Sequence, residues 1–368
     1  MGMIDNVNNI DFFASGEEDF YRKFSHRSIL CQGKHWKKPP LVTILITTYK
    51  RPELLRQALE SALNQKGFND YQIIIADNEG RPIEEETPTA KVVKQYQYDK
   101  VIYYRHAEEV LYKADSAVLL ARSKWIVFLH DDDILAENHL LKMTEVVKKH
   151  KEIKFLGCAA QNFSSESDID KDANIRHCMI RKLHKNSICF RNWAGWLGAL
   201  IRRKYYIAIG GMPAYSMGCG DKVMVGIFLH RYGTYICDTD RPLYYYRIGE
   251  QQISYTQRDS WENVLINEYC FERYVINNYH KVTHKIWERN LAHLTLQNCV
   301  RYNRGVYHTE IDLKNIMLKC NMPDDIREKN FQNYINSGIF WIYRKCVRYL
   351  NYINRQILRK SDIYLDVE

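Results

Sequence analysis

The sequence lacks most of the features that would place a protein outside a cell or through a membrane. No run of about 18 apolar residues occurs in its 368 residues, so no segment reads as a membrane span. Ten cysteines are present, but they are scattered and none forms a C-x-x-C pair. A disulfide framework or zinc site is therefore not expected, and a reducing cytosol fits best. Met1 to Phe13 is acidic and polar rather than a leader-like apolar run. Gly-rich phosphate loops of the G-x-G-x-x-G and G-x-x-x-x-G-K types are also missing, which argues against a dinucleotide enzyme or a P-loop NTPase. Internal repeats and low-complexity tracts are not evident. With 46% hydrophobic and 26% charged residues, the composition is that of a folded chain.

What is abundant is positive charge and tyrosine. The formal charge of +9 suggests an anionic partner: a nucleotide, a nucleic acid or an anionic lipid. The 27 tyrosines suit interfaces with sugars, partners or headgroups. A genome that uses Tyr and Lys in place of Phe and Arg would leave the same imprint.

Residues 1–40 read as an extension that ends in the stiff, basic Lys37-Lys38-Pro39-Pro40. From Leu41 short apolar strands alternate with helices. Strands are expected at 41–47, 71–76, 101–104, 125–129 and 154–159, and helices at 52–64, 90–98, 114–122 and 136–150. This alternation predicts an α/β fold with a mostly parallel sheet covered by helices on both faces. Residues 161–190 show no clean period and read as a long loop or a pair of small strands. A helix over 221–232 and strands at 234–237 and 243–247 follow, and beyond about Ser260 the chain reads as helical.

Polar features stand where these strands end. They are Thr47-Thr48-Tyr49-Lys50-Arg51, then Asp77-Asn78, then His130-Asp131-Asp132-Asp133, and finally Arg247. In open parallel sheets the ligand crevice lies at that edge. Adjacent carboxylates closing a buried strand repel one another, and a hard divalent cation among their oxygens makes the arrangement tolerable. Capping of the next helix would account for one aspartate, but not for three.

The segments LVTILITTYKRP (41–52), IIIADN (73–78) and WIVFLHDDDIL (125–135) resemble glycosyltransferase family 2, of the GT-A fold. So do GGMP (210–213), GDKVM (220–224) and PLYYYRIGEQQIS (242–254), in the same order. The resemblance implies a Rossmann-like central sheet over 41–258, divided into a nucleotide-binding half (41–135) and an acceptor half (136–258). A helical region over 259–368 would follow.

The resemblance also implies roles. Thr47, Tyr49 and Arg51 would line the nucleoside pocket, Asp77 would bond the base, and Asp115 would lie near base or ribose. Asp132 would ligate Mn²⁺ or Mg²⁺, and Asp131 would contact the ribose or support the ligand. Asp133 would cap the next helix, and His130 stands where the family's first aspartate is usual. Asp221 would be the catalytic base, with Gly220 in place of the usual glutamate. Arg247 would reach the diphosphate, and Gln251, Gln252 and Ser254 would lie on a closing loop. Trp193 and Trp196 would offer rings to an acceptor; core packing is the plain alternative.

The implied activity is inverting, metal-dependent transfer of a hexosyl or N-acetylhexosaminyl group from a nucleotide-sugar donor, a UDP-sugar foremost. The acceptor would be a glycan or polyprenyl-linked hydroxyl in bacterial capsule or O-antigen assembly. A nucleotidyltransferase on a similar sheet, or a non-catalytic glycan- or nucleic-acid-binding module, is the rival. No nucleic-acid-binding motif supports the last. Residues of about 338–360 form a basic amphipathic pattern, with Arg344, Arg348, Arg355 and Arg359 opposite Ile339, Ile342, Val347, Leu350 and Ile357. It suits peripheral attachment at the cytoplasmic face of the plasma membrane. A core-packed terminal helix or a dimer contact, and hence an oligomer, suits the same pattern.

Overall fold

The computed structural model describes residues 11–24, 27–110, 113–170, 175–185, 195–213, 220–249, 261–279, 288, 291–296, 298–299 and 312–323, with scattered positions from 342 to 365. Gln251, Gln252, Ser254 and Trp193 lie outside the described residues, as does most of the segment 338–360.

After α1 (Glu17–Arg22) and β1 (Ser28–Gln32), the expected alternation begins. It runs β2 (Val42–Thr48), α2 (Pro52–Leu63), β3 (Tyr71–Asp77), α3 (Pro88–Val93), β4 (Val101–His106), α4 (Lys113–Leu120) and β5 (Trp125–His130). Pro52 opens α2 at the first helical position, where its missing N–H costs nothing. Leu55, Ala58, Leu59 and Ala62 then form one buried stripe. Along β3 the side chains alternate between two cores. Ile73 and Ile75 join one, and Ile74 and Ala76 join the other, on the opposite face of the sheet. Helices cover both faces, which is why these strands are continuously apolar in sequence.

The second half contains β6 (Ile134–Leu135), α5 (His139–Lys149), β7 (Phe155–Cys158), β8 (Ala160–Phe163), β9 (Cys178–Lys182) and β10 (Leu200–Arg202). It continues through α6 (Arg203–Ala208), α7 (Gly220–Arg231), β11 (Tyr235–Thr239), β12 (Tyr244–Arg247) and, near the carboxyl terminus, β13 (Ile363–Leu365). The large sheet has the order β1-β4-β3-β2-β5-β10-β7-β11-β9-β13, and β6-β12-β8 form a small second sheet. Strands β2, β3, β4, β5, β7, β11 and β13 run one way; β1, β9 and β10 run the other. The sheet is thus mostly parallel, as the alternation predicts.

Four differences from the sequence reading have physical causes. Ser28–Gln32, expected in an extension, is an edge strand paired antiparallel to β4. The irregular stretch 161–190 does contain two strands, but they join different sheets: β8 pairs with β12 and β9 with β11. Ile134-Leu135 pairs with β12, so the helix expected from 136 starts at His139. Asp133 does not cap that helix, because Asn138 stands at its N-cap.

The helix Trp261–Tyr279 buries Leu265, Tyr269, Phe271 and Ile276 in the same core as α7. No described helix is long and apolar enough to cross a membrane.

Candidate active site

Strand register sets the site. Thr47 lies beside Ala76 on one side and His130 on the other, and Thr48 lies beside Asp77. The ends of β2, β3 and β5 therefore bring Thr47, Thr48, Asp77 and the acidic loop to one edge. The small sheet adds Arg247, because β12 pairs with the strand that follows the acidic loop.

The three aspartates point to different partners. Asp131 accepts from Thr48 Oγ1 at 2.8 Å and from the Tyr49 amide at 3.4 Å. Asp132 meets Arg51, with Nη1 at 3.1 Å from Oδ2. Asp133 accepts the Tyr244 hydroxyl at 2.6 Å on Oδ2 and the Arg247 amide at 2.7 Å on Oδ1. Burial, reinforced by the Asp132 charge, pushes Asp131 up to about 6 and Asp133 up to about 7. His130, at the loop's head, has Nδ1 at 3.7 Å from Asp133 Oδ2 and its ring 5.4 Å from that of Trp196.

Arg247 fastens the loop from the side. Its Nε donates to the Asp132 carbonyl at 2.6 Å and its Nη2 to Gln57 at 2.5 Å, while the guanidinium lies 4.4 Å over the Phe163 ring. Tyr244 is held by its neighbour Gly198, at φ +68°, where an added Cβ would fall 2.5 Å from the tyrosine ring.

On the other flank the chain leaves β2 through Lys50 at φ 56°. A left-handed conformation costs a non-glycine residue about 1–2 kcal/mol. Arg51, the next residue, reaches back to both Asp131 and Asp132. The Tyr49 ring is flanked by Lys50 Nζ at 4.6 Å and Lys113 Nζ at 5.0 Å, and its hydroxyl donates to Glu109 at 2.5 Å. Asp77 is buried and accepts from Tyr103 at 2.6 Å and from the Glu79 amide at 3.0 Å; desolvation raises its carboxyl above the usual range. Asn78 fixes the following turn by exchanging two hydrogen bonds with Val110.

Asp115 sits elsewhere. It is fully buried, pairs with Lys23 at 2.7 Å, and accepts from Tyr206 at 2.7 Å and from the Met212 amide at 3.1 Å. A Cβ on Gly211, at φ +66°, would run into the same carboxylate. The structure brings Asp115 to α1, α6 and the Gly210-Gly211 turn, not into contact with the acidic loop. Asp221 is in the first turn of α7, half-buried, and desolvation raises its carboxyl while Lys222 opposes the shift. Thr48 and Tyr244 lie inside the motif segments without a role assigned to them, whereas Gln57 and Lys113 are contributors that carry no distinguishing signal in the sequence.

The loop fits a divalent cation. One donor atom each from His130, Asp132 and Asp133 can lie within 4.8 Å of the others. Carboxylate oxygens suit a hard ion, and an imidazole is better tolerated by Mn²⁺ than by Mg²⁺. The hydrogen bonds on Asp133 leave lone pairs free, since each carboxylate oxygen accepts more than one partner. Asp131 is turned toward Thr48 and is not in this set.

Comparison with known proteins agrees with this architecture. The sequence profile of "Glycosyl transferase family 2" matches residues 43–218. An uncharacterized glycosyltransferase of Methanocaldococcus jannaschii, MJ1057, is 33% identical over 141 residues, which cover 37% of this chain and 45% of that protein. The chain thus spans under half the length of this relative. Among solved structures, S. aureus TarS 1–349 in complex with UDP-GlcNAc superposes with a TM-score of 0.53 at 12% identity, over 77% of this chain and 82% of that one. A longer TarS chain gives 0.50 at 11% identity, with 77% of this chain and 50% of that one covered. At such identity the likeness concerns the fold, which is that of GT-A glycosyltransferases. The ordered motifs, the acidic loop closing β5 and the matched span together support a glycosyl transferase family 2 domain over residues 43–218.

Proposed function

We propose that the protein is an inverting glycosyltransferase that moves a hexosyl or N-acetylhexosaminyl group from a UDP-sugar to a glycan hydroxyl, in assembly of a bacterial surface polysaccharide. The observation that carries this reading is the acidic loop at the carboxyl edge, where Asp132, Asp133 and His130 converge and Arg51 and Arg247 stand beside them. UDP is the nucleotide in the TarS complexes, and we extend it to this chain as part of the proposal.

Asp132, with Asp133 and His130, would hold Mn²⁺ or Mg²⁺. The ion supplies charge neutralisation at the leaving diphosphate, so no protein acid need protonate it. Thr47, Tyr49 and Asp77 would bind the nucleoside, with Asp131 beside the ribose. Arg247 and Arg51 would face the phosphates, where planar guanidinium groups suit two-point contacts. Asp221 would take the proton from the acceptor hydroxyl as its oxygen attacks the anomeric carbon from the face opposite the diphosphate. A carboxyl raised above its ordinary range is a better base than an unperturbed one. Trp196, beside His130, would stack against the acceptor sugar. Attachment through the basic segment near 338–360 would bring a polyprenyl-linked acceptor within reach at the cytoplasmic membrane face.

The decisive measurement is release of UDP from a panel of UDP-sugars with Mn²⁺, with and without glycan acceptor. Turnover abolished by chelator and restored by Mn²⁺ is the expected result. Pyrophosphate release instead of UDP would mean a nucleotidyltransferase, and binding without turnover would mean a glycan-binding module. Asp221→Asn should remove transfer while donor still binds; full transfer by that variant would assign the base elsewhere.

A further inference from the structure

The opposite end of the large sheet carries a second charged feature that glycosyl transfer does not use. Arg202, the last residue of β10, lies beside Trp125, the first of β5, and its amide donates to the Lys154 carbonyl at 2.8 Å. The next amide, of Arg203, donates to the Lys124 carbonyl at 3.0 Å. These pairings gather Lys124, Lys154, Arg202 and Lys204 at one place, and Lys151 joins them from the turn before β7. Three of the cations surround a single ring: Lys204, Lys154 and Arg202 stand 5.0, 5.4 and 5.5 Å from the centroid of Tyr205.

Among the described residues no carboxylate pairs with any of the five. Lys154 Nζ donates to the Lys151 carbonyl at 3.0 Å, the buried Nε of Arg202 meets no hydrogen-bond partner, and nearby Glu152 is paired with His150. Burial and the repulsion of the other four depress the Lys124 amine. Such a cluster opposes folding unless an anion meets it.

The place of the cluster decides its use. β5 runs from Trp125 to His130, a rise of about 17 Å. The cations are at its amino end and the acidic loop at its carboxyl end, so the same nucleotide cannot reach both. The carboxyl-terminal strand approaches from this same end. Ile363 pairs with Lys182, and Lys182 pairs with Tyr235, the first residue of β11, which runs parallel to β7. Of the described residues before β13, Ile342, Tyr349, Tyr352 and Ile357 are exposed, at 59–65% each. Clustered basic side chains beside an amphipathic tyrosine are what the surface of an anionic bilayer attracts.

We propose that the amino end of the large sheet, with Lys124, Lys151, Lys154, Arg202 and Lys204 around Tyr205, is a docking surface for an anionic lipid bilayer. The proposal stands apart from the donor reading and adds a globular surface to the terminal segment already considered. It orients the acidic loop away from the headgroups, so the acceptor hydroxyl would lie at the far end of an extended glycan rather than next to its lipid.

The test is co-sedimentation of the full chain with phosphatidylcholine vesicles, with and without about 30% phosphatidylglycerol. Wild type should bind only the anionic vesicles and be released as salt rises from about 0.05 to 0.5 M. The combined Lys124→Gln, Lys151→Gln, Lys154→Gln and Lys204→Gln variant should bind about fivefold more weakly per cation removed. Its melting temperature should not fall, because mutually repelling charges have been removed; if it does not fold, the salt release of wild type decides. Undiminished binding by the folded variant, equal binding to neutral vesicles, or capture of soluble polyphosphate without vesicle binding overturns the proposal. Sugar-nucleotide turnover without vesicles should be the same in both proteins. Its absence from both would count against the proposed reaction and leave the vesicle result standing.

Discussion

Arg51 places Nη1 3.1 Å from Asp132 Oδ2, within the acidic loop where a divalent cation would be held. The guanidinium also lies 3.6 Å from Asp131 Oδ1, so it serves as an internal counter-ion for two carboxylates. A metal ion and this guanidinium compete for the same oxygen. Arg51→Gln should therefore lower the melting temperature of the metal-free protein and strengthen Mn²⁺ binding by about tenfold, which corresponds to about 1.4 kcal/mol. Titration calorimetry with Mn²⁺ checks this, and an unchanged dissociation constant would mean that the guanidinium leaves without cost.

Asp132→Ala should cut metal-dependent turnover by about 10²–10³-fold or more, since a cation in such a site provides several kcal/mol of charge stabilisation. The metal-free protein should melt no lower than wild type, because removing this charge relieves Asp131 and Asp133, both raised partly by it. Full activity with Mn²⁺ restored after chelation would remove Asp132 from the ligand set.

Tyr244→Phe deletes the 2.6 Å hydrogen bond to Asp133 without changing the packing of the ring. A buried carboxylate that loses one donor costs about 1–3 kcal/mol. The expected outcome is a melting temperature several degrees lower and weaker Mn²⁺ binding. A variant with native stability and unaltered Mn²⁺ affinity would show that the Arg247 amide alone positions Asp133.

Strands β2, β3, β4 and β5 were legible because both faces are buried, so each is an uninterrupted apolar run bounded by polar residues. The acidic loop stood out for the same reason, as three carboxylates have no place inside such a run. The distribution of roles among them was not legible. Asp133 turns to Tyr244 and Arg247, residues more than a hundred positions away, and only the pairing of β6 with β12 brings them together. Asp115 shows the same limit. Its place in the motif order gave no hint that Lys23, from a segment read as an extension, would occupy its carboxylate. Short strands such as β1, β6 and β10 escape periodicity because their length is set by what they pair with.

Lys23 and Asp115 form a nearly dry ion pair, with side-chain exposures of 6% and 0%. Lys23→Met should destabilise the protein by about 3–5 kcal/mol, because it leaves an unpaired carboxylate in the core. Adding Asp115→Asn should recover part of that loss, since the amide can still accept from Tyr206 and the Met212 amide. Urea unfolding of the single and double variants measures the coupling. Additive losses would show that the two side chains do not interact energetically.

His139 supplies a pH signature that can be separated from the acidic loop. It is fully buried on α5, makes one bond to the Leu243 carbonyl at 3.0 Å, and its Nε2 meets no partner among the described residues. Burial pushes its pKa down from 6.5 to about 4, against which that bond acts only weakly. Between those values the unfolded chain takes up a proton that the native chain refuses. Its contribution to stability is therefore intact above about pH 6.5 and is lost progressively as pH falls toward 4, by about 3 kcal/mol in all. The raised carboxyls of Asp131 and Asp133 act in the opposite sense over an overlapping range, since the native state binds their protons more tightly. Wild type alone would show only the balance. The difference between wild type and His139→Gln isolates the histidine: the gap in melting temperature should narrow steadily from pH 7 to pH 4.5. A constant gap over that range would mean that His139 binds its proton equally well in the native and unfolded chains.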